Sequence, residues 1–394
     1  MESELKDLNS KSDKIQPPDS THNDASAKDE RPLLESDSSS AAADYNIREL
    51  EKKFAAYVRN DVYGTMGRGE LPLKEKFLLG IALVTLLPLR IVFGMAILVV
   101  YYLICRICTL FSAPNREEEE QEDYAHLGGW RRTVIVRSGR FLSRSLLFVV
   151  GFYWINETRK DSSSSQENSK NEGAHLSEEK EPPGAIVSNH VSYVDILYHM
   201  SSSFPSFVAK RSVAKIPFVG LISKCLGCVY VQRESKSSNS KGVAGAVTDR
   251  VREAHQNKSA PMMMLFPEGT TTNGDYLLPF KTGAFLAGAP VVPVILKYPY
   301  QRFSPAWDTI TGVRHVVLLL CQFINHMEVI HLPIYYASQQ EKDDPKQYAN
   351  NVRRLMATEG NLIMSDIGLA EKRIYHAALN GNNCLPSVLH QKDD

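Results

Sequence analysis

The chain has 394 residues, 43% of them hydrophobic and 23% charged, which is apolar material enough for one large core or two small ones. Lys+Arg and Asp+Glu balance at 45 each. No global field therefore favours nucleic acid, and any recognition of phosphate has to come from a local cluster.

Residues 1–45 are rich in Ser, Asp, Lys and Asn and nearly free of large apolar side chains. Such a segment cannot offset the entropy of ordering, so it reads as a disordered tail. It also lacks the apolar core of a secretory signal. Within it, Asp29-Glu30-Arg31-Pro32-Leu33-Leu34 has the form of an acidic dileucine sorting signal, a pattern short enough to arise by chance.

Residues 46–156 read as a membrane anchor with amphipathic helices. From Phe77 to Phe111 the sequence is almost continuously apolar, broken by Pro88, Arg90 and Arg106. A membrane span needs about 20 such residues. One span from Phe77 to Ile104 would hold Arg90 near the bilayer centre, at about 2.5–3.5 kcal/mol. Two helices breaking near Pro88-Leu89-Arg90 let that cation reach a polar surface, so a membrane-embedded helical hairpin is the preferred reading. The stretch Phe141 to Ile155, led by Arg137, Arg140 and Arg144 and closed by Tyr153 and Trp154, suits a helix at the lipid surface. Residues 157–183, a Ser/Glu/Lys/Asn run ending in Pro182-Pro183, read as a polar disordered loop.

Residues 184–380 alternate short β-rich runs with helical ones, the pattern of an α/β domain. Strands are predicted at Ala185–Val187, Phe207–Ala209, Val229–Gln232, Met262–Phe266, Val291–Lys297 and Glu328–Leu332. Helices are predicted at Val194–Ser201, Val213–Lys224 and Gly242–His255. The fold class is thus α/β, a mixed and largely parallel sheet flanked by helices. Cys105-x-x-Cys108 and Cys225-x-x-Cys228 both lie in apolar stretches without flanking ligands, so the cysteines read as packed free thiols and no metal site is assigned.

Two motifs carry chemistry. Ser188-Asn189-His190-Val191-Ser192-Tyr193-Val194-Asp195 follows a short apolar strand and opens a helix. An imidazole takes a proton from a hydroxyl near neutral pH, and a nearby carboxylate fixes its tautomer. The pair meets only if His190 sits in the turn before the helix, with Ser192 as cap. The plain alternative is a capping box of Ser192 and Asp195 beside an ordinary loop histidine. Phe266-Pro267-Glu268-Gly269-Thr270-Thr271-Thr272-Asn273-Gly274 gathers a carboxylate, small residues and hydroxyls where a strand ends, although its composition is also that of a polar turn. Arg233, ending the run Val229–Gln232, and Lys281, in Phe280-Lys281-Thr282-Gly283-Ala284-Phe285, are candidate phosphate partners or ordinary surface cations.

The order of these blocks, His-x4-Asp, the Gly227-to-Arg233 strand, Phe-Pro-Glu-Gly-Thr and then Val291-Val292-Pro293-Val294, resembles the glycerolipid acyltransferase family over residues 184–300. Ser192-Tyr193, the Thr-x-Thr-Asn after Gly269 and the Phe-Lys-x-Gly-Ala-Phe segment resemble its lysophosphatidylcholine and lysophosphatidylethanolamine branch, most of all the plant lysophosphatidylethanolamine acyltransferases. The resemblance implies a membrane enzyme of the endoplasmic reticulum, its catalytic domain facing the cytosol, that moves an acyl group from acyl-CoA to a lysophospholipid. His190 is then the general base, oriented by Asp195, while Asn189, Arg233, Glu268, Gly269, Thr270 and Lys281 bind substrate. Acyl-CoA is a co-substrate and no cofactor is implied. Thr271 stands where many phosphatidate-forming relatives have Arg, which favours a diester headgroup over a dianionic phosphate. Lysophosphatidylcholine and lysophosphatidic acid are the alternative acceptors, and a non-catalytic membrane scaffold is the alternative from another class.

Overall fold

Strands covered on both faces need near-continuous apolar sequence, and the runs after Gly184 supply it. The computed structural model describes residues 49–118, 121–161, 181–231 and 243–380; the dileucine-like pattern, Arg233 and Cys384 lie outside them. One sheet contains β1 (Ile155–Arg159), β2 (Ala185–Ser188), β3 (Ser206–Lys210), β4 (Val229–Val231), β5 (Met263–Leu265), β6 (Val291–Lys297) and β7 (Met327–His331). The order across it is β1-β7-β6-β2-β5-β3-β4. Neighbours run parallel except β7 against β6, so the sheet is mixed and largely parallel. Central β2 and β5 are buried at every position.

The polar strand β1 escapes the sequence pattern. It pairs in parallel with β7, Ile155 opposite Met327 through Arg159 opposite His331. Past the half-buried Ile155 its residues are exposed, and an edge strand needs no apolar alternation. Residues 157–159, expected to open the polar loop, therefore extend the sheet.

The longer helices are α1 (Leu73–Val84), α2 (Leu86–Thr109), α3 (Gly129–Val150), α4 (Val194–Ser202), α5 (Val219–Cys225), α6 (Val243–Gln256), α7 (Gly312–Leu320), α8 (Pro345–Gly360) and α9 (Leu369–Leu379). The helix expected over Val213–Lys224 is interrupted. Pro217 forces Ile216 into an extended conformation, which separates a short 3-10 turn at Arg211–Lys215 from α5.

The apolar run forms α1 and α2, which meet at Thr85; Pro88 falls in the first turn of α2, where a missing N–H is tolerated. The fate of Arg90 differs from expectation. It is buried at 5% exposure and donates to the carbonyls of Leu320, Gln322 and Phe323. A cation thereby satisfies the free carbonyls at the C-terminal end of α7 instead of reaching water. Leu89, Val92, Phe93 and Leu103 of α2 face outward, while Arg90, Tyr101, Cys105 and Cys108 face the protein. The helix is inside-out relative to a water-facing one.

The amphiphilic helix expected over Phe141–Ile155 begins earlier, at Gly129, and ends at Gly151, whose φ of 106° makes a left-handed cap. Arg144 closes that end by donating to Phe152 O and Tyr153 O. At Gly139 a Cβ would lie 2.3 Å from Phe204 and 2.4 Å from the Tyr101 hydroxyl, so the missing side chain lets α3 seat against both α2 and the α/β core.

Candidate active site

Parallel β2 and β5 are neighbours, with Ala185 opposite Met263 and Val187 opposite Leu265. The segments that leave their C-terminal ends, Asn189-His190 and Phe266–Gly274, therefore emerge side by side, where ligand sites form in α/β sheets. Two backbone bonds join the segments to each other and to a third loop: Thr272 N donates to His190 O at 3.0 Å, and Trp307 N donates to Val191 O at 2.9 Å.

His190 lies in the turn before α4 and its Nδ1 is 2.9 Å from Asp195 Oδ2. The same oxygen accepts the N–H groups of Val191 at 2.8 Å and Ser192 at 3.0 Å. Asp195 thus caps the turn and holds the imidazole at once, so the capping reading and the catalytic one describe the same carboxylate. Ser192 is not the formal cap, which is Tyr193 without a side-chain bond. The Asp195 side chain is fully buried, whereas that of His190 is 20% exposed. Phe266 stacks on the imidazole with centroids 4.1 Å apart and planes inclined by 17°. With Nδ1 donating to the carboxylate, the basic lone pair belongs to Nε2, which makes no hydrogen bond to protein among the described residues.

The other expected site residues divide into two groups. Asn189 is buried and makes a closed pair with β6, donating to Leu296 O at 2.9 Å and accepting from Leu296 N at 2.8 Å. Glu268 is buried too: Oε1 accepts the His190 N–H at 2.7 Å and Oε2 the Leu278 N–H at 2.8 Å. Burial pushes this carboxyl up to about 8, against the pull of those two amides, and the Asp195 charge adds to the rise. Both side chains hold the loop that carries His190 through these backbone bonds. Gly269, by contrast, is exposed, and Thr270 is half-buried. The positive φ of 71° at Gly269 brings its backbone against the Lys281 side chain, where a Cβ would sit 3.3 Å from Nζ. Gly269 and exposed Lys281 are therefore together at the surface of the block.

Sequence reasoning missed three supports. Tyr298, immediately after β6, donates its hydroxyl to Asp195 Oδ1. Lys372, on α9, donates to Thr271 O at 2.7 Å and Thr271 Oγ1 at 2.8 Å, and burial lowers it to about 8. Residues before α1, expected in the anchor, pack on the same block: Asn273 donates to Ala55 O and Val58 O, Phe54 stacks on Tyr375, and Tyr57 donates to Gly368 O. A buried Arg59 bridges Asp61 and Asp308 beside it. The signal for such contacts is spatial, since the partners are hundreds of residues apart.

His190 is thus an imidazole held by a buried carboxylate at the C-terminal end of the parallel strands, and the comparisons give the chain a class. The family described as Acyltransferase matches residues 162–297, and the chain is an acyltransferase. It is 66% identical to the lysophospholipid acyltransferase LPEAT1 of Arabidopsis thaliana over 100% of both chains. It is 31% identical to LPEAT2 of the same plant over 64% of this chain and 44% of that one, and 41% identical to the lysophosphatidylcholine acyltransferase of Drosophila melanogaster over 48% and 35%. The chain thus spans the whole of the first relative and less than half of the other two. The crystal structure of the 1-acyl-sn-glycerophosphate acyltransferase PlsC from Thermotoga maritima aligns over 71% of this chain and 97% of its own, at 16% identity and a TM-score of 0.41. This chain belongs to the lysophospholipid acyltransferase family.

Proposed function

We propose that the protein transfers an acyl group from acyl-CoA to the free glycerol hydroxyl of a lysophospholipid, lysophosphatidylethanolamine first among them, to give the diacyl phospholipid. The observation that carries this reading is the partly exposed imidazole of His190, fixed through Nδ1 by the buried Asp195, which leaves Nε2 to act as the base. Nε2 takes the hydroxyl proton as the oxygen attacks the thioester carbon. The C–S bond breaks, and the coenzyme A thiolate leaves and recovers that proton from the imidazolium. Base catalysis of this kind is worth roughly 10²–10⁴-fold. Gly269, Thr270 and Lys281 are assigned to the acceptor's phosphate, together with Arg233, which lies outside the described residues; Asn189 and Glu268 are assigned to positioning. The headgroup assignment is supported by the full-length likeness to LPEAT1 and by Thr271 in place of a second cation.

The acceptor is a lipid, so the enzyme has to work at a bilayer. Among the described residues α2 alone is long and apolar enough to cross one, and its outward residues are apolar. Trp130, Phe141 and Phe148 of α3 are exposed as well. Acyl-CoA is cytosolic, which supports an endoplasmic reticulum protein with its catalytic domain on the cytosolic side. Exposed Asn257, in the sequon Asn257-Lys258-Ser259, then stays unglycosylated; a glycan there would place the domain in the lumen. Purified protein with labelled acyl-CoA and a panel of lysophospholipids tests the proposal. Transfer is expected, fastest to the ethanolamine lipid. Faster transfer to the choline lipid or to lysophosphatidic acid would move the headgroup assignment, and no transfer to any would end it.

A further inference from the structure

Asp195 has no access to solvent, so its orientation depends wholly on protein donors. Three of them, His190 Nδ1, Val191 N and Ser192 N, converge on Oδ2. On the other oxygen the hydroxyl of Tyr298 is the donor. We infer that Tyr298 is a positioning residue for acyl transfer: its phenol anchors Asp195 Oδ1, so that Oδ2 stays aimed at His190. The inference rests on the reading of His190 as the base.

The frame around Tyr298 favours this role over simple packing. The end of β6 and the residue after it fasten the His190 segment at two points: Leu296 through its paired bonds to Asn189, and Tyr298 through Asp195 in the first turn of α4. The loop between those points carries His190. The Tyr298 ring is buried and packs edge-on against Phe152, centroids 5.8 Å apart, so the hydroxyl approaches Asp195 from a fixed direction. Burial raises the phenol's pKa, and the Asp195 charge raises it further, so the group remains protonated and a donor throughout the working range. Without that donor a buried carboxylate oxygen is unsatisfied, and rotation of the carboxylate would draw Oδ2 away from Nδ1. The other titratable groups around the pair are His199 and Glu268 toward Asp195 and Tyr193 toward Tyr298.

Tyr298→Phe removes the hydroxyl and keeps the ring. It should lower kcat about tenfold, with KM for both substrates changed by less than about twofold. Removal of the donor changes how strongly and how squarely Oδ2 meets the imidazolium, so the acid limb of the pH–rate profile should move. A residue that only packs would not move that limb. In an Asp195→Asn background, Tyr298→Phe should have little further effect, because the two act as one unit. Difluorotyrosine at position 298 keeps the shape, donates more strongly and should also move the limb, which tests the idea even if the Phe variant is unstable. Wild-type kcat and an unmoved acid limb in both variants, or an undiminished effect of Tyr298→Phe in the Asn background, would overturn the inference. The base assignment would survive that result as long as His190→Ala remained inactive.

Discussion

Glutamine at position 268 preserves size and tests whether this carboxylate holds the loop or the lipid. In the native protein Oε1 and Oε2 each accept one backbone N–H, from His190 at 2.7 Å and from Leu278 at 2.8 Å. Gln keeps a single carbonyl oxygen, so one of the two amides must face an NH2 group that cannot accept. A buried N–H stripped of its acceptor costs about 1–3 kcal/mol. Thermal unfolding in detergent should show that loss. Where the stranded amide is that of His190, kcat falls as well, by about tenfold for each 1.4 kcal/mol transmitted to the transition state. KM for the lysophospholipid should not change. The pH dependence gives a second reading. The folded carboxyl is raised to about 8 from an ordinary 4.5, chiefly by burial. Between those values the folded chain holds a proton that the unfolded chain has lost, so stability falls as pH rises through this window. Glu268→Gln removes that slope. Unchanged stability combined with a raised KM for the acceptor would refute the reasoning and return Glu268 to the ligand.

Two further substitutions test the frame. Arg59→Leu leaves Asp61 and Asp308 buried without their shared cation, which costs about 3–5 kcal/mol; expression and thermal unfolding should show severe destabilisation, and near-native stability would mean the pair is dispensable. Arg90→Met strips the carbonyls of Leu320, Gln322 and Phe323 of their donor at a cost of about 1–3 kcal/mol, and amide exchange should accelerate over residues 312–324, whereas unaltered exchange there would contradict the capping role.

What was legible in the sequence was local. An apolar run such as Ala185-Ile186-Val187 followed by a turn identifies β2, and the five-residue spacing from His190 to Asp195 fits a carboxylate in the first turn of α4 reaching back to the preceding loop. The supports of that loop were illegible because they are distant. Tyr298 lies 103 positions beyond Asp195, and Arg90 meets carbonyls about 230 positions away. The substrate role of Asn189 and Glu268 comes from the family resemblance, and the backbone bonds each makes to Leu296, His190 and Leu278 have no sequence signal. Strand β1 was invisible because it lies at the sheet edge, where exposed Glu157 and Arg159 carry no β signature.

The central claim is that His190 Nε2 is the base. The most direct measurement is single-turnover acyl transfer from labelled acyl-CoA by His190→Ala protein reconstituted in vesicles, alongside its thermal unfolding curve. The account predicts a folded, membrane-associated protein whose rate has dropped by at least about 10²-fold. Native turnover by that variant would contradict it.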